Sequence, residues 1–548
     1  MNRASILLLL ATAWFAACDT ERVAGGSTSE TSNGIAVRVF APDGKPAARV
    51  LVKVRPEEYL ASEAPASQDP AHGIIDLRTD DSGMARLPAR MVRGRVEAIG
   101  ATSGAQGSLD TAKTRLDLHL AAPSMLGGKV KLRSTDFPAK IQARGLEHET
   151  WSDHEGNFVL KDLPAGPVSI RAWIPRRNAS ASTRASLPPG SQLSAALLEP
   201  KEEPQSGWTD SLDFFLDTRD GLIDSEVDLA PLQLQLDGDD FPDSAKHDGS
   251  DLRLVDPTGK AVPFFVSRWS PATRQGRIWF LASSILPSDT TRRFRLRWGK
   301  TDADPASDPW TVFDASLGWG GVWNLSRTYL DDQGRSRVVD ASGWSNDGVL
   351  TGAPEVDPVQ GMRFTRSGQD GLSMSGSRTN LSSDFTVLLL AKPEARGAIL
   401  LGRGDSSWDH GKKWFTLQER GSSRRLLGWY PTFMGWTDTS YNVYSVSETK
   451  VDSGAWTFLA ARRSTDGDGA VEWFVDGSKT ATKLAGGTDF EVDRARDSLH
   501  VGFRHGSNSR FVGSMAEIWI LNRPMSDDWI RLQAACRIPG GPLVKIRR

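Results

Sequence analysis

Apolar and polar residues alternate with a period of two along most of this chain, which predicts strands over helices. In Val471–Val475 (VEWFV), Val471, Trp473 and Val475 fall on one face and Glu472 and Phe474 on the other. Asp476-Gly477 follows, a pair suited to a two-residue hairpin turn. Residues 457–461 (TFLAA) form an apolar run too short for a helix, and residues 515–521 (MAEIWIL) alternate again. Beyond Pro524, Ser526-Asp527-Asp528 predicts the start of a short helix whose Trp529, Leu532 and Ala535 share a face. Further upstream, residues 35–40 (IAVRVF), 232–236 (LQLQL), 321–325 (GVWNL) and 385–391 (FTVLLLA) read as strands in the same way.

These segments group into an all-β, multidomain chain. Residues 1–17 carry one basic residue and an apolar run from Ile6 to Phe15, too short to cross a bilayer. Residues 18–34 are rich in Ser, Thr and Gly and read as a flexible tether. Residues 35–122 read as a set of short strands with turns at Pro42-Asp43-Gly44 and at Asp80 to Gly83. Residues 127–200 predict a second copy, in which Asp153 to Gly156 repeats the D-x-x-G turn. A strand-rich adaptor spans 205–313, and a further, longer strand-rich segment spans 314–540.

Several stretches resemble known families. The run GAVEWFVDGS (469–478), then LHVGF (499–503) and FVGSMAEIWILNRPMSDDWIRL (511–532), is similar to the end of LamG-like and pentraxin-like domains. The resemblance implies a concanavalin A-like jelly roll whose concave sheet and loops bind glycans or proteins. Residues 339–348 (VDASGWSNDG) resemble the turn that opens many such domains. GSDLRLVD (249–256), IWFL (278–281) and RWGK (297–300) resemble the bacterial DUF2341 domain, which often precedes a LamG-like domain. Some DUF2341 relatives carry ExbB/TolQ-like segments, and this chain has no such transmembrane segments after residue 17. Residues 35–122 and their second copy resemble small carboxypeptidase-regulatory-like β-sandwich modules, which serve mostly as spacers. Phe15-Ala16-Ala17-Cys18 resembles a bacterial lipobox. That implies lipidation at Cys18 and a cell-envelope address, at the outer membrane or surface of a Gram-negative bacterium.

Net charge is −2 over 548 residues with both signs well mixed, so no basic footprint points to nucleic acid. Of the two cysteines, Cys18 belongs to the lipobox and Cys536 reads as a half-buried structural thiol after the last helix. The 19 tryptophans suit a sandwich core and a sugar-stacking surface equally, so their placement matters more than their number. Trp408, Trp429, Tyr430, Trp436, Asp438 and Tyr441 crowd one segment, and either line a ligand face or fill the core. Asp340, Asn346, Asp347 and Glu517 offer hard oxygen ligands for one structural Ca²⁺; the alternative for 340–348 is a hydrogen-bonded turn. No G-x-S-x-G occurs, and the C-terminal half lacks the paired-carboxylate strand motif of glycosidases on this fold. The expected function is non-catalytic: a membrane-anchored lipoprotein recognising a carbohydrate or a partner protein. The alternatives are a scaffold of an envelope complex and, least supported, a glycoside hydrolase.

Overall fold

The computed structural model describes residues 35–547 apart from 63–68, 88–92, 111–114, 332, 359, 366–368, 376–378, 380, 382–383, 396–398, 404–414, 421–424, 432–441, 465, 467–470, 486–497, 504–509 and 538–542. Among the described residues no helix is long and apolar enough to cross a membrane. Cys18 lies outside the described residues.

The first module is a sandwich of two sheets. One orders its strands Met84–Leu87, Ile35–Phe40, Arg115–His119, and the other Ile75–Arg78, Leu51–Arg55, Arg93–Ile99, Gly104–Asp110. The second module repeats the order. Its small sheet runs Asn157–Leu163, Ser124–Lys129, Gln192–Ser194. Its large sheet runs Glu149–Trp151, Lys140–Ala143, Gly166–Ile174, Ala179–Leu187, with Lys201–Glu202 added at the edge. In both modules the first strand pairs in parallel with the last strand of its small sheet. Two copies of one topology are therefore present.

The D-x-x-G turn is a local device. Asp80 Oδ1 accepts the N–H groups of Ser82 and Met84, and Asp153 Oδ1 accepts those of Glu155 and Asn157. Gly83 and Gly156 take the left-handed φ values of +73° and +87° that close it. The same bonding recurs at Asp256 in the adaptor and at Asp331 in the large sandwich. The turn marks hairpins generally, and strand order carries the repeat.

Charged groups lock the modules together. Between the first two, Glu147 accepts from Arg55 Nε at 2.9 Å and Nη2 at 2.6 Å, and from the Lys53 ammonium. Beside them His148 Nε2 lies 2.6 Å from Glu97 Oε1. Burial opposes a charge on this imidazole, but the hydrogen bond and the charge of Glu97 outweigh it and hold the His148 pKa above its ordinary value. A histidine raised by folding contributes stability fully below its unfolded pKa of about 6.5 and loses it as pH rises through the folded value. The melting temperature of the full chain should therefore fall as pH is raised from about 6 to about 8. His148→Gln should flatten that slope; an unchanged slope in the variant would remove His148 as its source. Between the second module and the adaptor, Arg144 grips Asp304 through two bonds of 2.8 and 2.6 Å.

The adaptor pairs a sheet ordered Arg253–Val255, Arg293–Trp298, Asp210–Leu216, Val544–Ile546 with one ordered Ala230–Asp237, Gln275–Ala282, Phe264–Ser270. Its fourth strand comes from the far end of the chain: Phe214 pairs with Ile546 and Leu216 with Val544. The boundary expected at 313/314 does not divide the core. One apolar cluster joins Leu232, Trp279 and Phe280 of the adaptor to Leu388, Phe458, Phe474 and Trp519 of the large sandwich. The C-terminal helix Asp527–Arg537 sits in the same cluster through Trp529, Ile530, Leu532 and Ala535. Ser526 caps it, its hydroxyl accepting the Trp529 N–H at 3.1 Å. Cys536 lies inside this helix, 6 % exposed, so the expectation of a half-buried thiol beyond the last helix is corrected. Burial pushes the thiol pKa up and keeps it in the unreactive protonated form.

Candidate functional site

The large sandwich is built from an eight-stranded sheet and a ten-stranded sheet. The first holds Gly513–Leu521, flanked by Phe385–Pro393, Gly361–Phe364 and Trp319–Asn324. The hairpin read from sequence is present: Val475 pairs with Ser478 across Asp476 (φ +48°) and Gly477 (φ +81°), a type I′ arrangement. Between the sheets Trp323, Trp473, Ile518 and Val501 make a dry core.

The outer face of the eight-stranded sheet is not free. Phe474, expected on the polar side of its strand, is fully buried against the adaptor and helix, as are Phe458 and Trp519. Trp519 meets Trp279 at 4.7 Å and Phe313 at 5.0 Å between ring centroids. Arg537 lies over the Trp519 ring at 3.9 Å, and its Nε bonds Glu517 Oε2 at 2.8 Å. Most of this side of the sandwich is covered by the adaptor and the helix.

The ten-stranded sheet keeps an outer face. One register row crosses all ten strands: Tyr329, Arg337, Val349, Ser373, His500, Gly402, Thr416, Trp429, Tyr444, Ala485. The neighbouring row holds Leu372, Val501 and Leu401, which point into the dry core. Arg337, Val349, Ser373 and His500 are half-buried, and Ser373 Oγ lies 2.9 Å from His500 Nδ1. Backbone register pairs Trp429 with Thr416 and Tyr444 in this row. Its neighbour Tyr430 pairs with Val443. The other aromatic-segment candidates, Trp408, Trp436, Asp438 and Tyr441, lie outside the described residues. The pairing of Ser373 with His500 carried no sequence signal, because 127 residues separate them and the LHVGF run that holds His500 marks a strand, not a site.

Three of the four proposed calcium ligands come together in one turn. Asp340 Oδ1 accepts the N–H groups of Val322 at 2.9 Å and Ser342 at 3.0 Å, and Oδ2 accepts that of Asn346 at 3.2 Å. Asp347 Oδ1 accepts the Asp340 N–H at 2.8 Å, and its Oδ2 accepts the Tyr329 hydroxyl. Asn346 exchanges two 3.0 Å bonds with the Ser375 backbone. Burial pushes the Asp340 carboxyl pKa up against the pull of those N–H donors. Glu517 is not brought to this group; it is committed to Arg537 on the covered face. Among the described residues, the grouping of three ligand-type side chains with donor atoms within 4.8 Å is Asp69, His72 and His247, at the joint of first module and adaptor.

The arrangement defines a concanavalin A-like sandwich fused to an adaptor domain, and among the described residues the outer row of the ten-stranded sheet holds half-buried side chains. Residues 366–531 match the Laminin_G_3 family model, described as the concanavalin A-like lectin/glucanases superfamily. Residues 248–325 match DUF2341, a domain of unknown function, whose model runs into the first strand of the sandwich. A comparison with curated proteins returns no match. Among solved structures the chain is similar to domain 4 of AbnA, a GH43 extracellular arabinanase from Geobacillus stearothermophilus in complex with arabinotriose. That match has 17 % identity over 39 % of this chain and 98 % of that one, with a TM-score of 0.29. It is also similar to the Ruminococcus gnavus IT-sialidase CBM40 bound to α2,3 sialyllactose (17 % identity, 28 % and 83 % covered, TM-score 0.23). A Trypanosoma rangeli sialidase aligns over 91 % of this chain and 96 % of its own, at 10 % identity and a TM-score of 0.30. Scores this low place no ligand on this chain.

Proposed function

We propose that this protein is a non-catalytic binding protein of the cell envelope that recognises a carbohydrate on the outer face of its ten-stranded sheet. The observation carrying this reading is the coverage of the other sheet. With Phe458, Phe474 and Trp519 buried against the adaptor, a ligand reaches the sandwich across the row that includes Ser373, His500, Trp429 and Tyr444. The superfamily match at residues 366–531 agrees with a lectin-like use of that face. The two N-terminal sandwiches act as a rigid stalk. A lipid on Cys18 supplies the membrane attachment, at the outer membrane or cell surface. A second reading, a protein-docking scaffold, draws support from Leu330, 69 % exposed on the edge strand Tyr329–Leu330 of the same sheet.

A glycan and polysaccharide screen of the full chain, with and without chelator, tests this. Trp429→Ala should weaken binding about 10- to 100-fold, the loss expected when an aromatic platform and the polar contacts it aligns are removed together. Full binding by the variant would move the site off this row. A clean negative across plant, bacterial and host glycans would transfer the reading to the scaffold. Loss of binding in chelator would add a structural Ca²⁺ at Asp340 and Asp347.

A further inference from the structure

A cleft of about 360 Å³ opens between the adaptor and the covered sheet of the sandwich. The adaptor contributes Arg268, Arg277 and Asp237, and the sandwich contributes Trp456 and Asp476, with Gln235 and Gln360 beside them and Arg537 of the C-terminal helix at the joint. Asp476 Oδ1 is engaged by the Phe458 N–H at 2.9 Å. The volume falls in the range of small-ligand sites.

The chemistry of the walls is specific. Trp456 is 37 % exposed, immediately before the strand Thr457–Arg463, although most tryptophans nearby are fully buried. Arg537 is 5 % exposed and its Nη2 has no hydrogen-bond partner, while Nε and Nη1 are held by Glu517 and Gln533. That nitrogen is shut off from solvent and the guanidinium is held over the Trp519 ring at 3.9 Å, so Arg537 supplies positive charge behind the cleft wall, not an open donor. Arg277 lies 3.7 Å from Glu517 Oε1, a carboxylate already engaged by Arg537. Arg268 donates to the neutral Gln275 at 2.6 Å. Burial and the charge of Arg277 both lower the Arg268 pKa, whereas Asp237 and Asp357 pull it the other way. An anion between the two guanidiniums would relieve their repulsion, and guanidinium forks match carboxylates in shape. An aromatic face beside such a fork, with glutamine amides at hand for hydroxyls, fits a pyranose ring that bears a carboxylate.

We propose that this cleft is a second binding site, for a carboxylate-bearing sugar such as a uronic acid at the end of an acidic polysaccharide. It stands on its own geometry and does not require the ten-stranded face. The probes are oligogalacturonate and oligoglucuronate, each against its carboxyl-reduced neutral counterpart, titrated calorimetrically into the full chain. The acidic forms should bind, and Arg268→Gln or Trp456→Ala should each weaken them about 10- to 100-fold with the melting temperature retained. Trp429→Ala should leave that binding intact. Equal affinity for acidic and neutral forms would overturn the assignment of a carboxylate. Binding lost in Trp429→Ala but kept in Arg268→Gln and Trp456→Ala would overturn the cleft while sustaining the ten-stranded face. No binding of either acidic probe would also overturn it.

Discussion

Replacing Arg537 with methionine should cost the full chain about 3–5 kcal/mol of stability. Arg537 and Glu517 have side chains only 2 % and 3 % exposed and face each other through a 2.8 Å bond. Methionine fills much of the volume over the Trp519 ring but leaves the buried Glu517 carboxylate without its hydrogen-bonded cation, with only Arg277 at 3.7 Å. Removing one partner of a buried pair costs far more than the pair contributes, because desolvation of the survivor is no longer offset. The double variant Arg537→Met with Glu517→Gln should recover most of the loss. Urea unfolding followed by tryptophan fluorescence suits the measurement, since Trp279, Trp319 and Trp519 meet at this joint. A cost under about 1 kcal/mol, the range of exposed pairs, would contradict the buried placement of the pair.

Lys140→Met should have a loss of similar size at the other end of the adaptor. The Lys140 ammonium lies 2.6 Å from Asp308 and 3.1 Å from Glu149, and its side chain is 2 % exposed. Without it, two carboxylates face each other in a buried joint, at about 3–5 kcal/mol. Burial already raises the Glu149 pKa, and Lys140 is the group that opposes the rise. Loss of the lysine should raise it further. A carboxyl raised by folding contributes stability below its unfolded pKa and loses it as pH rises through the folded value. The deficit of Lys140→Met should therefore shrink as the solution is acidified, and Asp308→Asn on top of it should reduce the deficit at neutral pH. A deficit that stays constant with pH would show that Glu149 does not feel the missing charge.

Both joints explain why strands that alternate in sequence are buried on both faces. Leu232, Leu234 and Leu236 point into the adaptor core as alternation demands, yet Gln233 between them is 3 % exposed. The helix donates to that strand from outside, through Gln533 to the Pro231 carbonyl at 3.0 Å. Phe474 shows the same effect in the sandwich. A period of two reveals that a strand has two faces, and it cannot tell what another part of the chain will lay over the second one.

What the sequence determined by itself is local. Strand content, the Asp476-Gly477 hairpin, the Ser526 cap, the D-x-x-G turns and the order of modules rest on interactions within a few residues, where propensity and turn chemistry act directly. Tertiary structure alone decided the rest. It brought Val544–Ile546 back to complete the adaptor sheet and gave Glu517 to Arg537 instead of to Asp340 and Asp347. It fused adaptor and sandwich into one core, and it gathered Arg268, Trp456 and Arg537 around a cleft. These partners lie tens to hundreds of residues apart. Their meeting depends on which apolar faces pack together, and that is a property of the assembled sheets, not of any window along the chain.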